Sequence, residues 1–180
     1  MNIVVLSGSP RKGANTDTMV EAFAETAREG GHTVEVIRVA SKKIAGCLGC
    51  QYCFAHKGVC VQKDDMAALR DKLLETDMLV FVTPLYYFGM SAQLKMVIDR
   101  FYSFTGKLSS RKLKTALIAA AWDSNDWTMQ DLSAHYQTLC RYMNFQDQGM
   151  ILGTGCGSVS MTKRSPFLNQ AYELGKSLKG

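Results

Sequence analysis

NIVVLSGSPRKGANT, residues 2–16, is the stretch that decides the fold of this chain. Its first six residues form a mostly apolar run, which is typical of a buried parallel strand. The run gives way to small, glycine-rich residues and then to a segment, 15–29, whose apolar residues recur at helical spacing up to a glycine stop at Gly30. A buried strand that leads through a tight turn into a helix begins a β-α-β unit.

The same alternation continues along the rest of the chain. Further strands are predicted at 32–39, 77–84, 114–122 and in a segment that ends with MILGTG, and further helices at 65–76, 91–104, 127–143 and 166–178. This order predicts one α/β domain over residues 1–180, with a parallel sheet and helices on both faces. Ligands of such sheets bind beyond the carboxyl ends of the strands. His32 is expected to be exposed at the start of its strand.

Composition excludes several classes of protein. The chain has 180 residues, and its 21 basic and 16 acidic residues give a net charge of +5. Every apolar segment is much shorter than the roughly 18 residues of a membrane-spanning helix, and no basic segment precedes the first apolar run. We therefore expect a cytoplasmic protein without a membrane partner. The basic residues are scattered, which favours an ordinary solvated surface over nucleic-acid binding.

The turn after the first strand has the chemistry of a phosphate site. Hydroxyl and amide groups can donate hydrogen bonds there, a helix N-terminus adds free N–H groups, and a basic residue adds charge. The turn has neither the nucleoside-triphosphate pattern nor the dinucleotide fingerprint. A plain strand-to-helix turn is the alternative interpretation. The candidate residues are Ser7, Ser9, Arg11, Lys12, Asn15 and Thr16.

Two motifs resemble those of a known family. Residues 7–11, SGSPR, closed by Asn15 and Thr16, resemble the FMN phosphate loop of the flavodoxin-like NAD(P)H-dependent FMN reductases. Residues 83–90, TPLYYFGM, followed by SAQLK and later DRF, resemble the second flavin loop of that family and the helix after it. The resemblance implies that Ser9, Arg11, Asn15 and Thr16 hold the FMN phosphate. It also implies a flavodoxin-like three-layer sandwich, whose five-stranded parallel sheet has the order 2-1-3-4-5.

The residues after the third strand fit a flavin on chemical grounds as well. A flavin needs apolar walls and backbone N–H groups for its polar edge, and this loop offers both. The alternative is that the aromatic residues belong to the core. In the loop after the fourth strand, Trp122 and Trp127 are candidate flavin walls, with ordinary packing as an even alternative. The candidates from the earlier loop are Pro84, Leu85, Tyr86, Tyr87, Phe88 and Gly89.

Four of the six cysteines lie close together in sequence. Cys47, Cys50, Cys53 and Cys60 occupy a loop at about 44–62, and their spacing is closer to that of a [4Fe–4S] site than to paired zinc knuckles. The pattern resembles that of the iron–sulfur flavoproteins, but relatives with a Gly-Cys-x-Gly-Cys loop carry FMN alone. A cluster, zinc or free thiols therefore all stay open. The two remaining cysteines, at 140 and 156, are expected to be buried.

The function predicted from these features is that of an FMN-dependent oxidoreductase. A reduced nicotinamide, NAD(P)H, or a protein would donate electrons, and a small molecule or a redox protein would accept them, in one version through a [4Fe–4S] cluster. The alternatives are a cluster-free NAD(P)H-dependent FMN or quinone reductase, and an electron carrier or regulatory flavin-binding module without turnover. Carriers of the flavodoxin type are acidic, unlike this chain. No catalytic side chain is required, because the flavin carries the chemistry. The resemblance also implies a homodimer or larger homo-oligomer.

Overall fold

Five parallel strands form one sheet in the computed structural model, which describes residues 1–179. Their order is β2-β1-β3-β4-β5, which confirms the predicted order. The chain runs outward from β1 to β2 and then returns to the other side of β1, so the direction of winding reverses between β1 and β3. The strands are β1 (Asn2–Ser7), β2 (Thr33–Arg38), β3 (Met78–Pro84), β4 (Lys114–Ala120) and β5 (Gln146–Gly153).

Helices cover both faces of the sheet, which explains why β1, β3 and β4 are almost entirely apolar and buried. On one face, α1 (Asn15–Glu29) packs against α8 (Pro166–Ser177). The two helices approach so closely that a Cβ atom on Gly175 would overlap Oγ1 of Thr26 and the carbonyl oxygen of Phe23. Helix α1, which carries the phosphate-site candidates, is therefore held firmly against its neighbour.

The opposite face is covered by α3 (Met66–Glu75), α4 (Ala92–Arg100) and α6 (Gln130–Met143). Among the helices of residues 1–179, none combines the length and apolar character that a membrane crossing requires. Three shorter helices complete the described chain: α2 (Tyr52–Ala55), α5 (Thr105–Ser110) and α7 (Val159–Arg164).

Several predicted boundaries are wrong. The helix predicted at 91–104 ends at Arg100, and residues 101–104 form a 3₁₀ turn before α5 begins. The backbone of Phe104, with φ −140° and ψ 21°, leaves the helical region, and the turn places the rings of Phe101 and Phe104 in the core. The helix predicted at 127–143 begins at Gln130, because residues 127–129 form turns. Helix α7 was not predicted.

The prediction that His32 is exposed is also wrong. Its side chain is buried, with only 7% of its surface exposed. The imidazole lies between two chain ends: Nδ1 is 3.2 Å from the amino group of Met1, and Nε2 is 3.3 Å from the carbonyl oxygen of Leu178. Both ring nitrogens therefore have polar neighbours despite their burial.

Candidate functional site

A crevice of about 200 Å³ opens beyond the carboxyl ends of β1, β3 and β4, close to the place where the direction of winding reverses. This is where ligands bind in open α/β sheets. The loops after these strands bring many of the predicted residues together. The predicted residues that line the crevice are Ser9, Arg11, Asn15, Thr16, Pro84, Leu85, Tyr86 and Trp122.

The other predicted residues lie beside the crevice or beneath it. Ser7 is fully buried under the turn, and its Oγ has no hydrogen-bond partner within the described residues. Lys12 is exposed and does not line the crevice, and Tyr87, Phe88 and Gly89 follow Tyr86 without lining it either. The crevice also contains residues that the sequence did not indicate, namely Ala14, Ala120, Cys156 and Gly157.

The N-terminus of α1 has the properties of an anion site. Its N-cap residue, Ala14, offers no side-chain acceptor, so the first-turn N–H groups of this 15-residue helix have no capping group. The hydroxyl of Thr16 is buried at the same place and has no partner within residues 1–179. Arg11, which is exposed, also lines the crevice. Free N–H groups, an unpartnered hydroxyl and a cation together suit a phosphate.

Hydrogen bonds also connect this turn to the rest of the site. The Oγ of Ser9 lies 3.2 Å from the backbone N–H of Arg11, which keeps the turn tight. The side-chain amide of Asn15 donates to the carbonyl oxygen of Cys156, in the loop after β5. The signal that could have indicated Cys156 and Gly157 was topological: the carboxyl end of the fifth parallel strand meets the same sheet edge as the others.

The turn after β1 and the loop after β3 are joined directly. The N–H of Gly8 donates to the carbonyl oxygen of Val82 at 2.8 Å, and the Ser91 hydroxyl donates to the carbonyl oxygen of Gly8 at 2.8 Å. The N–H of Ser91 in turn donates to Oγ1 of Thr83 at 2.9 Å. A Cβ atom on Gly8 would lie 2.6 Å from the Ser91 hydroxyl oxygen, so this close approach requires glycine.

The loop after β3 contains a strained two-residue turn. Tyr86 and Gly89 exchange both backbone hydrogen bonds at 3.1 Å, and the residues between them have left-handed φ angles of 46° at Tyr87 and 63° at Phe88. Such turns favour Asn-Gly, and each bulky residue in this conformation is strained. Tyr87 is 100% exposed, and Phe88 lies beside Trp127, with ring centroids 5.2 Å apart. The alternative that these aromatic residues belong to the core is therefore wrong.

The two candidate tryptophans of the loop after β4 have different positions. Trp122 is 79% exposed, lines the crevice and lies so close to Gly157 that a Cβ atom there would be 2.8 Å from its ring. Trp127 lies against Phe88 and not in the crevice. Asp123, which lies between the two tryptophans in sequence, accepts hydrogen bonds from the side chains of Thr128 and Asn125. These hydrogen bonds lower the pKa of the Asp123 carboxyl, and the one from Thr128 has the larger effect.

The four clustered cysteines line one small cavity of about 20 Å³ beneath their loop. Cys47 and Cys50 are exposed, Cys53 and Cys60 are partly buried, and all four are free thiols. Within residues 1–179, however, no three His, Cys, Asp or Glu side chains lie close enough together to hold a metal ion. The remaining cysteines, Cys140 and Cys156, are buried as predicted.

An ion pair between a buried arginine and a partly exposed aspartate adjoins the cysteine cavity. Arg100, which is 2% exposed, donates from Nη1 to Oδ2 of Asp64 at 2.7 Å and from Nη2 to Oδ1 at 3.1 Å. Burial alone would raise the pKa of Asp64, but hydrogen bonds from Arg100 and from the N–H groups of Ala45 and Met66 lower it. Burial alone would lower the pKa of Arg100, but Asp64 and, to a smaller extent, Cys60 raise it.

The residues present fit the two predicted groups to different degrees. For a flavin phosphate, the unpartnered Thr16 hydroxyl and the uncapped helix supply donors at one end of a crevice with an apolar opposite wall. For a [4Fe–4S] cluster, the thiols fit in number, chemistry and shared cavity, while their present separation is too large for coordination.

Comparison with known proteins agrees with this description. The sequence profile of the family described as NADPH-dependent FMN reductase matches residues 1–151. The chain is 42% identical over 100 residues to an iron-sulfur flavoprotein of Archaeoglobus fulgidus, which covers 56% of this chain and 45% of that protein. It is 37% identical over 100 residues to the iron-sulfur flavoprotein MJ1083 of Methanocaldococcus jannaschii, which covers 56% of this chain and 51% of that protein.

The chain thus spans about half the length of these two curated relatives. Among solved structures, NAD(P)H:quinone oxidoreductase from Methanothermobacter marburgensis superposes with a TM-score of 0.80 at 18% identity, over 100% of this chain and 96% of that chain. At this identity the similarity shows the fold, which is flavodoxin-like as predicted.

Proposed function

The chain belongs to the NADPH-dependent FMN reductase family, a family of FMN-dependent oxidoreductases, and on that premise we propose that its crevice binds FMN and passes electrons from a reduced nicotinamide to an acceptor. The observation that carries this proposal is the pairing, across one crevice, of an anion site at the N-terminus of α1 with an apolar wall after β3. A phosphorylated flavin has a charged end and a flat apolar end that match these two sides.

The phosphate would be held by the turn after β1. Backbone N–H groups of the first turn of α1 and the hydroxyl of Thr16 are the donors without other partners, and Arg11 supplies the opposite charge. Asn15 would contribute mainly by anchoring, since its amide already donates to the carbonyl oxygen of Cys156. Charge-assisted hydrogen bonds of this kind are among the strong ones in proteins.

The ring system would lie between the loops after β3 and β4. Pro84, Leu85 and Tyr86 line the crevice from the end of β3 and the loop after it, and Trp122 lines it from the loop after β4. When bound, FMN supplies the redox chemistry. Within the described lining there is one cation, Arg11, and no imidazole or carboxylate, so the protein contributes orientation, water exclusion and electrostatics.

We further propose that Cys47, Cys50, Cys53 and Cys60 ligate a [4Fe–4S] cluster. The support is their shared cavity, their spacing and the iron-sulfur flavoproteins among the relatives. Closure of the site requires the thiols to move together. A cluster-free FMN reductase is the second candidate, and the present separation of the thiols favours it.

The acceptor and the assembly are part of the same proposal. Exposed apolar side chains, including Leu48, Phe54 and Val59, lie within the cysteine loop itself. Apolar surface of this kind is typical of contacts with another protein. We propose that a second copy of the chain covers this surface in a homodimer or larger homo-oligomer, and that a small molecule or a redox protein takes the electrons.

The test is anaerobic purification with iron supplied, followed by a visible spectrum and iron and sulfide analysis. FMN gives two resolved bands, and a cluster adds broad absorption that reduction bleaches. NADPH and NADH oxidation are then measured with quinone, ferricyanide and oxygen. If the protein binds FMN but shows no turnover with any of these donors and acceptors, it is a flavin-binding module and not an enzyme. FMN turnover without iron or sulfide would support the cluster-free reductase.

A further inference from the structure

We infer that Arg100 is a positioning residue for the cysteine site, in which the N–H at Nε of its buried guanidinium donates a hydrogen bond to the sulfur of Cys60 once that sulfur is a thiolate ligand. The inference rests on the proposed [4Fe–4S] cluster and assigns the protein group that holds its fourth ligand.

The first observation is an unused hydrogen-bond donor. Nη1 of Arg100 donates to the carbonyl oxygen of Ala45 at 2.9 Å and to Asp64, and Nη2 donates to Asp64 as well. Nε is buried and has no partner within residues 1–179. Buried donors in native structures almost always have a partner, so an unpaired one on a 2% exposed side chain calls for an acceptor that the site supplies.

The second observation is the position of that side chain. Arg100 lines the small cavity together with all four clustered cysteines, and it also lines a neighbouring cavity below their loop. Cys60 is the cysteine that lines both cavities with it. Sulfur is a weak acceptor as a thiol, but a thiolate is a charged and much better one.

The third observation is that the guanidinium cannot easily move away. Asp64 holds two of its nitrogens, and the same carboxylate accepts from the N–H of Ala45 at 3.1 Å and from the N–H of Met66, at the start of α3, at 3.1 Å. The end of α4, the start of α3 and the cysteine loop therefore meet at one fixed ion pair. A donor fixed in this way orients the ligand that it touches.

This arrangement has an electronic consequence for the cluster. Four thiolates give it a net negative charge, and one-electron reduction adds another negative charge with no bond broken. Hydrogen bonds to sulfur and nearby positive charge stabilise the reduced form and raise the reduction potential. Arg100 supplies both. Asp64 partly offsets the charge but cannot replace the N–H donor.

The experiment uses the full chain, anaerobically loaded with iron, sulfide and FMN, and labelled with ¹⁵N in its arginine side chains. Pulsed electron paramagnetic resonance of the dithionite-reduced protein should show a ¹⁵N coupling and an exchangeable proton coupling. In Arg100→Lys, which keeps the charge and removes Nε, the ¹⁵N coupling should be lost and the midpoint potential should become more negative. Arg70→Lys is the matched control, because Arg70 lines only the neighbouring cavity.

The outcomes separate the two proposals. A wild-type protein that takes up no iron and sulfide overturns the cluster and this inference together. A loaded wild-type protein without ¹⁵N coupling overturns the role of Arg100 and leaves the cluster standing. If Arg100→Lys does not fold, three results still decide the question: a ¹⁵N coupling in the wild-type protein, its absence from a sample with unlabelled arginine, and its persistence in Arg70→Lys.

Discussion

Nη2 of Arg38 lies 2.8 Å from Oδ2 of Asp17, and this ion pair supports the turn between β1 and α1 from behind. The same carboxylate oxygen accepts the N–H of Gly13 at 2.7 Å, and Nη1 of Arg38 donates to the carbonyl oxygen of Arg11 at 2.8 Å. Neither member of the pair lines the crevice. The shape of the phosphate-site turn therefore depends on a residue at the end of the neighbouring strand, β2.

Replacing Arg38 should weaken FMN binding without touching the ligand. In Arg38→Ala the turn loses the hydrogen bonds that support it, and the Kd for FMN should rise roughly tenfold, which corresponds to about 1.4 kcal/mol, close to the lower end of what one hydrogen bond to a charged group contributes. Fluorescence titration of the flavin measures this. Arg28→Ala is the control, because Arg28 donates to the carbonyl of Val34 in the same strand and not to the turn. Equal Kd values for the two variants would contradict the prediction.

Arg11 should distinguish FMN from riboflavin. The turn supplies donors for a phosphate, so wild-type protein should bind FMN much more tightly than riboflavin. Arg11→Ala should raise the Kd for FMN tenfold or more, since hydrogen bonds to charged groups contribute about 1.5–3 kcal/mol each. Its effect on riboflavin should be small. The neighbouring Lys12→Ala, at an exposed position outside the crevice, is the control. Similar wild-type affinities for the two flavins would rule out a phosphate site.

Relieving the strain in the turn between Tyr86 and Gly89 should increase stability and reduce turnover. Tyr87→Asn places a residue that tolerates φ 46° at a fully exposed position, so it should raise the free energy of unfolding of the flavin-free protein by roughly 0.5–1 kcal/mol. Turnover with a quinone should fall, because Tyr87 adjoins Tyr86 at the crevice. Urea unfolding and steady-state kinetics measure the two effects.

Lys112→Asn is the matched control for the effects of Tyr87→Asn on stability and turnover. Lys112 also has a left-handed φ, of 50°, and lies away from the crevice. It should gain similar stability at unchanged turnover. A Tyr87 variant that gained stability and kept full turnover would show that the exposed ring serves neither the flavin nor its acceptor.

The ion pair between Asp64 and Arg100 should make stability depend on pH. The folded-state pKa of Asp64 is lowered from its ordinary value of 3.8, so its ionised form stabilises the fold above that pH, and the contribution is lost as the pH falls through the folded-state pKa. Asp64→Asn should cost roughly 2–3 kcal/mol at pH 7, near the low end for a broken buried pair, because the amide still accepts a hydrogen bond.

Urea unfolding at a series of pH values tests this dependence. The difference between wild type and Asp64→Asn should begin to shrink as the pH falls below 3.8, where the carboxyl of the unfolded chain becomes protonated, and should vanish below the lowered pKa of the folded state. Asp71→Asn is the control, since Asp71 pairs with Arg70 at the surface and should change stability by less than about 1 kcal/mol. A difference between wild type and Asp64→Asn that stayed constant with pH would exclude the charge of Asp64 as its cause.

Removing one clustered cysteine should remove iron but not flavin. Cys53→Ala deletes a predicted cluster ligand, so iron and sulfide should be lost or become labile, while FMN content stays near wild type because its crevice uses other loops. Cys140→Ala, at a buried position beside Thr115, should keep both. Iron content that does not respond to any of the four clustered cysteines would place the metal elsewhere.

The sequence was sufficient to predict those elements whose structure depends on the residues of one short segment. The buried strands could be predicted because a parallel sheet covered on both faces requires continuous apolar runs. The break after Arg100 could not, because Phe101, Phe104 and Leu108 continue a helical spacing across it and all three are buried. The burial of His32 was equally invisible, since its neighbours Met1 and Leu178 come from the two ends of the chain.

In the candidate site, too, some residues could be predicted from the sequence and others could not. Residues of the turn after β1 and the loop after β3 could be named because each loop has its own motif. Cys156 and Gly157 carry no motif and enter the crevice only because β5 ends at the same edge of the sheet. Likewise, cysteine spacing indicates a group of ligands, but whether thiols converge depends on the path of a loop, which spacing does not determine.

The hydrogen bond from Ser91 to Gly8 fixes the distance between the two ends of the crevice. It links the turn at the phosphate end to the loop at the ring end by side-chain and backbone hydrogen bonds within the protein. We therefore expect the crevice to select ligands by the distance between their anionic group and their flat ring system. Because these hydrogen bonds already hold both loops in place, we expect a ligand to bind with little further ordering of them. The conformational entropy of ordering these loops is then lost during folding and not during binding.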